Sequence, residues 1–283
     1  MQNFWFSYQN ILRNEILKNN YFSFIRKIFG ALYKFLVKYL RHKFLINSQD
    51  LDKINMNNFL NLSFDKIFIS FNCDKGSYCF FDKKKIISHN YSIFYEKYFR
   101  NLKNKKIDIL ELGSHEGKGL ASFFCYFPNS TLIGANINPF QMRFTSKRIT
   151  ELFVDVSSRR ILTSLSNHLK NEPTIIIDDA SHNLRDMLIS FSIFFKKLKR
   201  KGIYVIEDMD QFKVLKELNP YKNELTVLEI LNKIKNNEDF KSSFVDDESK
   251  QYLINNISDI KIEKGSMFIN EKNVSDIAFI FKK

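Results

Sequence analysis

Proline, glycine and cysteine are scarce in this chain of 283 residues, which holds four, eight and three of them. So little glycine and proline excludes a collagen-like repeat and a low-complexity linker. The cysteines are Cys73, Cys79 and Cys125, and no two form a C-x-x-C pair. That excludes a disulfide framework and suits reduced thiols in a cytosolic protein. Long apolar runs are missing too. The stretch from Tyr21 to Ile46 is broken by Arg26, Lys27, Lys34, Lys38, Arg41 and Lys43, too many charges for a bilayer span. The opening Met-Gln-Asn-Phe-Trp-Phe has no basic n-region and no small-residue cleavage site, so no signal peptide is expected.

Apolar and basic residues are plentiful instead. Hydrophobic residues make up 44%, including 30 Phe, which is enough for a sizeable core. Lys and Arg number 44 against 31 Asp and Glu, a net charge of +13. Residues 1–60 carry nine basic and three acidic side chains, a net of +6. Within them Ile25, Ile28, Phe29, Leu32, Phe35, Leu36, Tyr39 and Leu40 recur at helical spacing. Residues 1–60 are therefore expected to be a basic amphipathic helical extension. It suits packing on the main domain, a homo-oligomer contact, or peripheral contact with an anionic membrane face. The expected location is cytoplasmic, with the inner membrane face as the alternative.

From residue 61 to 283 the pattern alternates between strand and helix. Apolar runs at Ile107–Leu112, Thr131–Ile137, Leu152–Val156, Thr174–Ile177 and Gly202–Ile206 are separated by amphipathic stretches such as Leu184–Leu198. This order predicts an α/β domain with a mostly parallel sheet. Asp259–Glu263 and Asp276–Phe281 lack a helix between them and predict a terminal antiparallel hairpin. Residues 213–257 precede it and are the candidate acceptor-covering insertion.

In open α/β sheets ligands sit beyond the carboxyl ends of the strands, so the strand exits carry the chemistry. The first exit is Glu111-Leu-Gly113-Ser114-His115-Glu-Gly117-Lys-Gly119, where glycine lets the backbone turn tightly and approach a ligand. It is not the dinucleotide G-x-G-x-x-G. The second exit holds Asn136, suited to ribose hydroxyls, and the third Asp155-Val156, suited to an adenine edge. The fourth gives Asp178-Asp179-Ala-Ser-His182 and the fifth Glu207-Asp208. Strands four and five are expected neighbours, so Asp179, Glu207 and Asp208 can converge. Three close carboxylates repel unless a cation sits among them. Oxygen ligands suit a hard ion such as Mg²⁺ or Mn²⁺ rather than Zn²⁺.

These residues resemble the class I S-adenosylmethionine-dependent methyltransferases. More narrowly they resemble the metal-dependent sugar O-methyltransferases of the macrocin, mycinamicin and rhamnosyl-elloramycin type. Asp74-Lys75-Gly76-Ser77, His89-x-Tyr91 and Tyr95-Glu96-x-Tyr98-Phe99 are similar to that group's lead-in to the first strand. The likeness spans roughly residues 74–212.

The resemblance implies a Rossmann-like seven-stranded fold and S-adenosylmethionine as cofactor. It places Glu111, Gly113, Ser114 and Gly117 on the methionine and ribose side, Asn136 at the ribose, Asp155 and Val156 at the adenine, and Asp178 against the methionine portion. Asp179, Glu207 and Asp208 become metal ligands, His182 the general base, and His89 and Tyr91 acceptor-side residues. His115 stands where many class I enzymes carry a glycine, and Asn136 replaces an acidic ribose ligand. The expected acceptor is a sugar hydroxyl on a nucleotide-sugar or surface-glycan precursor, such as one for capsule polysaccharide. A small phosphate-like or phosphoramidate acceptor is one alternative, and RNA is another. The +13 charge favours RNA, but no RNA-binding motif does, so no nucleic-acid partner is expected. A non-catalytic module docked through residues 1–60 is the remaining alternative.

Overall fold

The computed structural model describes Ile25, Phe29, Gly30, Tyr33, residues 48–138 and residues 141–283. The expected extension over residues 1–60 therefore lies largely outside the described residues. Among the described residues, no helix is long and apolar enough to cross a membrane.

Seven strands build the main sheet: β1 (Ile107–Leu112), β2 (Ser130–Asn136), β3 (Ile149–Phe153), β4 (Ile175–Asp178), β5 (Ile203–Glu207), β6 (Ile257–Lys264) and β7 (Asp276–Lys282). Their spatial order is β6-β7-β5-β4-β1-β2-β3. The first five are parallel, and β7 runs antiparallel between β5 and β6. The chain winds outward from β1 to β3, then returns to β4 on the other side. Strand order thus reverses between β1 and β4, and in open α/β sheets ligands bind outside the strand ends at such a switch point.

Side chains alternate across each central strand, and both faces are covered. Leu110, Leu112, Ile176, Tyr204 and Ile206 join one core layer. Ile107, Ile109, Ile175, Ile177, Ile203 and Val205 join the other. Helices α1 (Phe64–Ser70), α2 (Ser92–Phe99) and α3 (Lys118–Tyr126) cover the second layer. Helices α4 (Arg159–His168), α5 (Leu184–Lys197), α6 (Val227–Lys235) and α7 (Asp247–Asn256) cover the first. Continuous runs such as Ile175-Ile176-Ile177 follow from this double burial.

The strands depart from expectation in places. β3 begins at Ile149, three residues earlier than expected, because Ile149–Phe153 pairs with Leu132–Asn136. This half-buried edge strand tolerates Glu151. Asp155 and Val156 therefore follow the strand instead of ending it. The terminal hairpin holds a smaller one, Phe268–Ile269 paired with Lys272–Asn273, between β6 and β7.

The 213–257 insertion is divided. Thr226 and Glu229 form a capping box that starts α6, and Val227, Ile230, Leu231 and Ile234 are buried beneath it. Leu253 of α7 is buried in the same layer. Residues 227–256 thus form part of the core wall, because their apolar residues recur at helical spacing. Of the insertion, residues 213–226 precede these helices, and Tyr221 and Leu225 among them pack on the same layer.

The many phenylalanines are used in the layer under α1 to α3. The Phe64 ring stacks on Tyr126 with centroids 3.5 Å apart and meets Tyr95, Phe123 and Phe127 at 5.8–6.0 Å. Tyr95 also reaches the site described below, so this packing fixes a functional side chain. Phe64→Ala is expected to lower unfolding free energy by about 3–5 kcal/mol in denaturant titration. A loss below about 1 kcal/mol would mean that the layer closes over the gap.

Candidate active site

The exits of β1 and β4 are drawn together by one glycine. Gly113 has φ +88°, and a Cβ there would lie 1.9 Å from the Asp179 carbonyl oxygen. No other residue permits that approach. Gly117 (φ +82°) then enters α3 from the left-handed region. Glu111 is 1% exposed, and its Oε2 has no hydrogen-bond partner. Burial pushes its carboxyl up to about 7, against the pull of Lys75. Ser114 Oγ is likewise buried without a partner. Asn136 donates through Nδ2 to the carbonyls of His115 (3.3 Å) and Asn138 (3.0 Å), which ties the β2 exit to the first loop.

The outer cofactor-side positions differ in setting. Asp155 Oδ1 accepts from the Ser157 N–H at 3.0 Å and its hydroxyl at 2.6 Å, so it also builds the turn after β3. Val156 packs at the margin of the core. Asp178 is buried and accepts from the Tyr204 hydroxyl at 3.1 Å. Burial raises its carboxyl to about 7 although the tyrosine bond opposes this.

The acidic centre lies at the exits of β4 and β5. Lys75, from the loop after α1, is 3% exposed. Its Nζ donates to Asp179 Oδ2 and to Glu207 Oε2 (2.6 Å), and lies 3.9 Å from Glu111 Oε1. Burial alone would lower its pKa, but Asp179 and Glu207 raise it well above the usual lysine range. Glu207 also accepts from the Tyr95 hydroxyl, and burial drives its carboxyl well upward. The expected Asp179–Glu207–Asp208 trio is therefore divided, because Glu207 turns to Lys75 and Tyr95. The groups that meet are Asp179, His182 and Asp208, each with a ligand atom within 4.8 Å of the others. His182 Nε2 lies 3.7 Å from Asp179 Oδ1.

His89 and Tyr91, expected on the acceptor side, are committed to Asp208. The Tyr91 hydroxyl donates to Asp208 Oδ1, and Tyr91 is fully buried. A side chain without exposed surface cannot form an acceptor wall. His89 Nδ1 is 3.2 Å from Asp208 Oδ1 and 3.0 Å from Ser275 Oγ. Gln211 Nε2 donates to Asp208 Oδ2 at 2.9 Å. Burial would lower the His89 pKa, but Asp208 reverses this and raises it to about 9. Burial would raise Asp208 in turn, yet His89 holds it below the usual aspartate range. Asn90, His115, His182 and Asp208 all adopt positive φ, a backbone cost often found at functional sites.

Sequence reasoning missed Lys75, Tyr95, Gln211 and Ser275. Lys75 and Tyr95 stood in the quoted lead-in motifs but carried no assigned role. No local pattern marks a buried lysine whose partners lie over a hundred residues away.

No family model matches the chain. The rhamnosyl tetracenomycin-C 2'-O-methyltransferase of Streptomyces olivaceus is 27% identical over 128 residues, 43% of this chain and 33% of that protein. The mycinamicin VI 2''-O-methyltransferase of Micromonospora griseorubida is 27% identical over 137 residues, 46% and 34% respectively. The chain spans about a third of the length of these curated relatives. Among solved structures, the MycE methyltransferase in complex with Mg, SAH and mycinamycin VI superposes with a TM-score of 0.58 at 19% identity, covering 78% of this chain and 54% of MycE. The chain has the class I methyltransferase fold. In sequence it resembles the sugar O-methyltransferases of that class.

Two expectations test the centre. Lys75→Met leaves Asp179 and Glu207 facing each other without their cation, at an expected cost of about 3–5 kcal/mol. A carboxyl raised in the folded state, as Glu207 is, keeps its stability contribution at low pH and loses it as pH rises. The deficit should therefore be larger at pH 8 than at pH 5 in urea titrations; the opposite trend would exclude this ion pairing. The second concerns His89, raised from 6.5 to about 9. Its contribution is fully present below about pH 6.5 and is lost as pH rises through about 9. In EDTA, the parent should lose about 3 kcal/mol more than His89→Gln across that window. Parallel stability curves would rule out the His89–Asp208 pair.

Proposed function

We propose that this protein is an S-adenosylmethionine-dependent O-methyltransferase. Its acceptor is a sugar hydroxyl on a nucleotide-sugar or surface-glycan precursor, and a divalent ion assists the transfer. The observation that carries this reading is the meeting of Asp179, His182 and Asp208 beside the β1 exit, where Glu111 and Ser114 hold buried, unpartnered oxygens. The sequence likeness to sugar O-methyltransferases supports the acceptor class.

The residues fit both absent groups. Glu111 and Ser114 offer polar atoms that a bound polar ligand would satisfy. Gly113 and Gly117 keep the loop low beside them. Around the acidic centre, Lys75 faces Asp179 and Glu207, and His89 faces Asp208. The carboxylate oxygens of Asp179 and Asp208, which come within 4.8 Å of each other, are hard donors that suit a divalent ion. Glu207 contributes one step away, by holding Lys75 against Asp179. When bound, the cofactor supplies an electrophilic sulfonium methyl and the divalent ion stabilises charge developing on the acceptor oxygen.

The chain's own residues do the remainder. His182 Nε2 takes the hydroxyl proton, a role that suits an imidazole near neutral pH. Tyr91, His89 and Gln211 are positioning residues that fix both oxygens of Asp208. Asn136 and Asp155 hold the nucleoside side. Residues 213–226, which follow Asp208 in the chain, are the proposed acceptor cover.

Calorimetric titration with S-adenosylmethionine and S-adenosylhomocysteine tests the cofactor, and Mn²⁺ binding followed by electron paramagnetic resonance tests the ion. His182→Ala should bind Mn²⁺ within about twofold of the parent and lose at least about 100-fold in turnover on nucleotide-sugars. Loss of Mn²⁺ binding in that variant would make His182 a ligand instead of a base. Absence of cofactor binding in the parent would sink the whole reading.

A further inference from the structure

The strand pair between Lys75 and His89 does not look like an ordinary surface hairpin. Tyr78–Phe81 pairs antiparallel with Lys84–Ile87. The turn residues Asp82 and Lys83 both have positive φ, as a two-residue type I′ turn requires. By register, one face holds Tyr78, Phe80, Lys85 and Ile87, and the other Cys79, Phe81, Lys84 and Ile86. A sheet that faces water on one side normally puts its apolar residues on the other. Here Phe80 and Ile87 on one face are 49% and 73% exposed, and Phe81 and Ile86 on the other are 68% and 40% exposed. Lys83, Lys84 and Lys85 follow in sequence at the tip, all exposed.

We propose that this hairpin is a membrane-docking element for anionic lipid. Its apolar side chains on both faces suit a medium that is apolar on all sides, and three adjacent lysines suit acidic headgroups. One surface offers both chemistries within the span of ten residues, and the chain's net charge of +13 has the matching sign. The hairpin is firmly based. Asn72 brackets Phe80 through Nδ2 to its carbonyl (2.9 Å) and its N–H to Oδ1 (2.6 Å). Asp65 Oδ1 accepts from the Ser77 N–H at 2.7 Å. At the other end, the His89 N–H donates to the Asp74 carbonyl at 3.1 Å. The strands therefore leave from and return to the two motifs that supply Lys75 and His89. Docking would set the acidic centre at the bilayer surface, within reach of an acceptor presented there. The inference goes beyond the methyl-transfer reading and does not depend on it.

The test uses the full chain and vesicles of three parts phosphatidylcholine to one part phosphatidylglycerol, with pure phosphatidylcholine for comparison. Co-sedimentation is read without cofactor or metal, so its result stands whether or not the enzyme reading does. The parent should bind the anionic vesicles and not the neutral ones. Each lysine near an acidic surface contributes about fivefold. K83E/K84E/K85E and F81S/I87S should each weaken binding at least about tenfold while melting within a few degrees of the parent. The single F81S, a smaller change at an exposed site, should weaken it in the same direction. No parent binding to anionic vesicles overturns the proposal. So does unchanged binding by both multiple variants, which would place the contact elsewhere in the chain. Loss of a dimer in light scattering with vesicle binding unaltered also overturns it, because the hairpin would then serve a second copy.

Discussion

A buried lysine organises the site. Lys75 Nζ bonds Asp179 and Glu207 and faces Glu111, so one cation touches the exits of β1, β4 and β5. An unpaired ammonium at 3% exposure would be too costly to keep charged, and so would three unpaired carboxylates. Each side is tolerated because of the other. The three strands could pack by their apolar faces alone, but packing would not fix where their terminal carboxylates point. Lys75 supplies that constraint from outside the sheet, and the Asp74–His89 backbone bond holds its loop in place.

The same economy appears one residue further along. Glu207 and Asp208 are neighbours in sequence with opposite fates. Glu207 is the last residue of β5 and turns to Lys75 and Tyr95 in the layer under α1 to α3. Asp208 has φ +56° and meets Tyr91, His89 and Gln211. Strict alternation would send Asp208 to the opposite face from Glu207, but it follows the strand with a left-handed φ, and it meets Tyr91 from the same layer that holds Tyr95. The outcome is two adjacent carboxylates with different partners, one with a strongly raised pKa and one with a lowered pKa. Environments that push neighbouring acids apart in this way allow one centre to hold both structural and reactive charge.

Much of the fold was legible because its signals are local. Continuous apolar runs marked β1, β4 and β5, and each ended in the polar residues that line the crevice. β3 was misplaced by three residues because Glu151 interrupts the apolar run, and an edge position tolerates it. The core role of residues 227–256 was obscured by their charge, although Val227, Ile230, Leu231 and Ile234 share the helical period. At the site, the residue types were recognised, but their partners were not. Whether Glu207 faces an ion or a lysine depends on a loop 132 residues earlier. Tyr91 reads as a ligand-facing aromatic, and only packing reveals that it is fully buried.

The buried pairs also constrain how the centre can respond to an ion. Asp208 is already held at both oxygens, by Tyr91 and His89 on one and Gln211 on the other, so it needs little ordering before it binds. Asp179 is held at Oδ2 by Lys75, and its Oδ1 faces His182. A preorganised site of this kind gains affinity by avoiding the entropy of ordering its ligands. It also fixes how the two oxygens of Asp179 face their surroundings. On Asp179, Oδ1 lies 3.7 Å from His182 Nε2, so the proposed proton acceptor and the proposed ion-binding oxygen share one side of the carboxylate. A hydroxyl placed there would meet both groups at once, as the proposed transfer would use them.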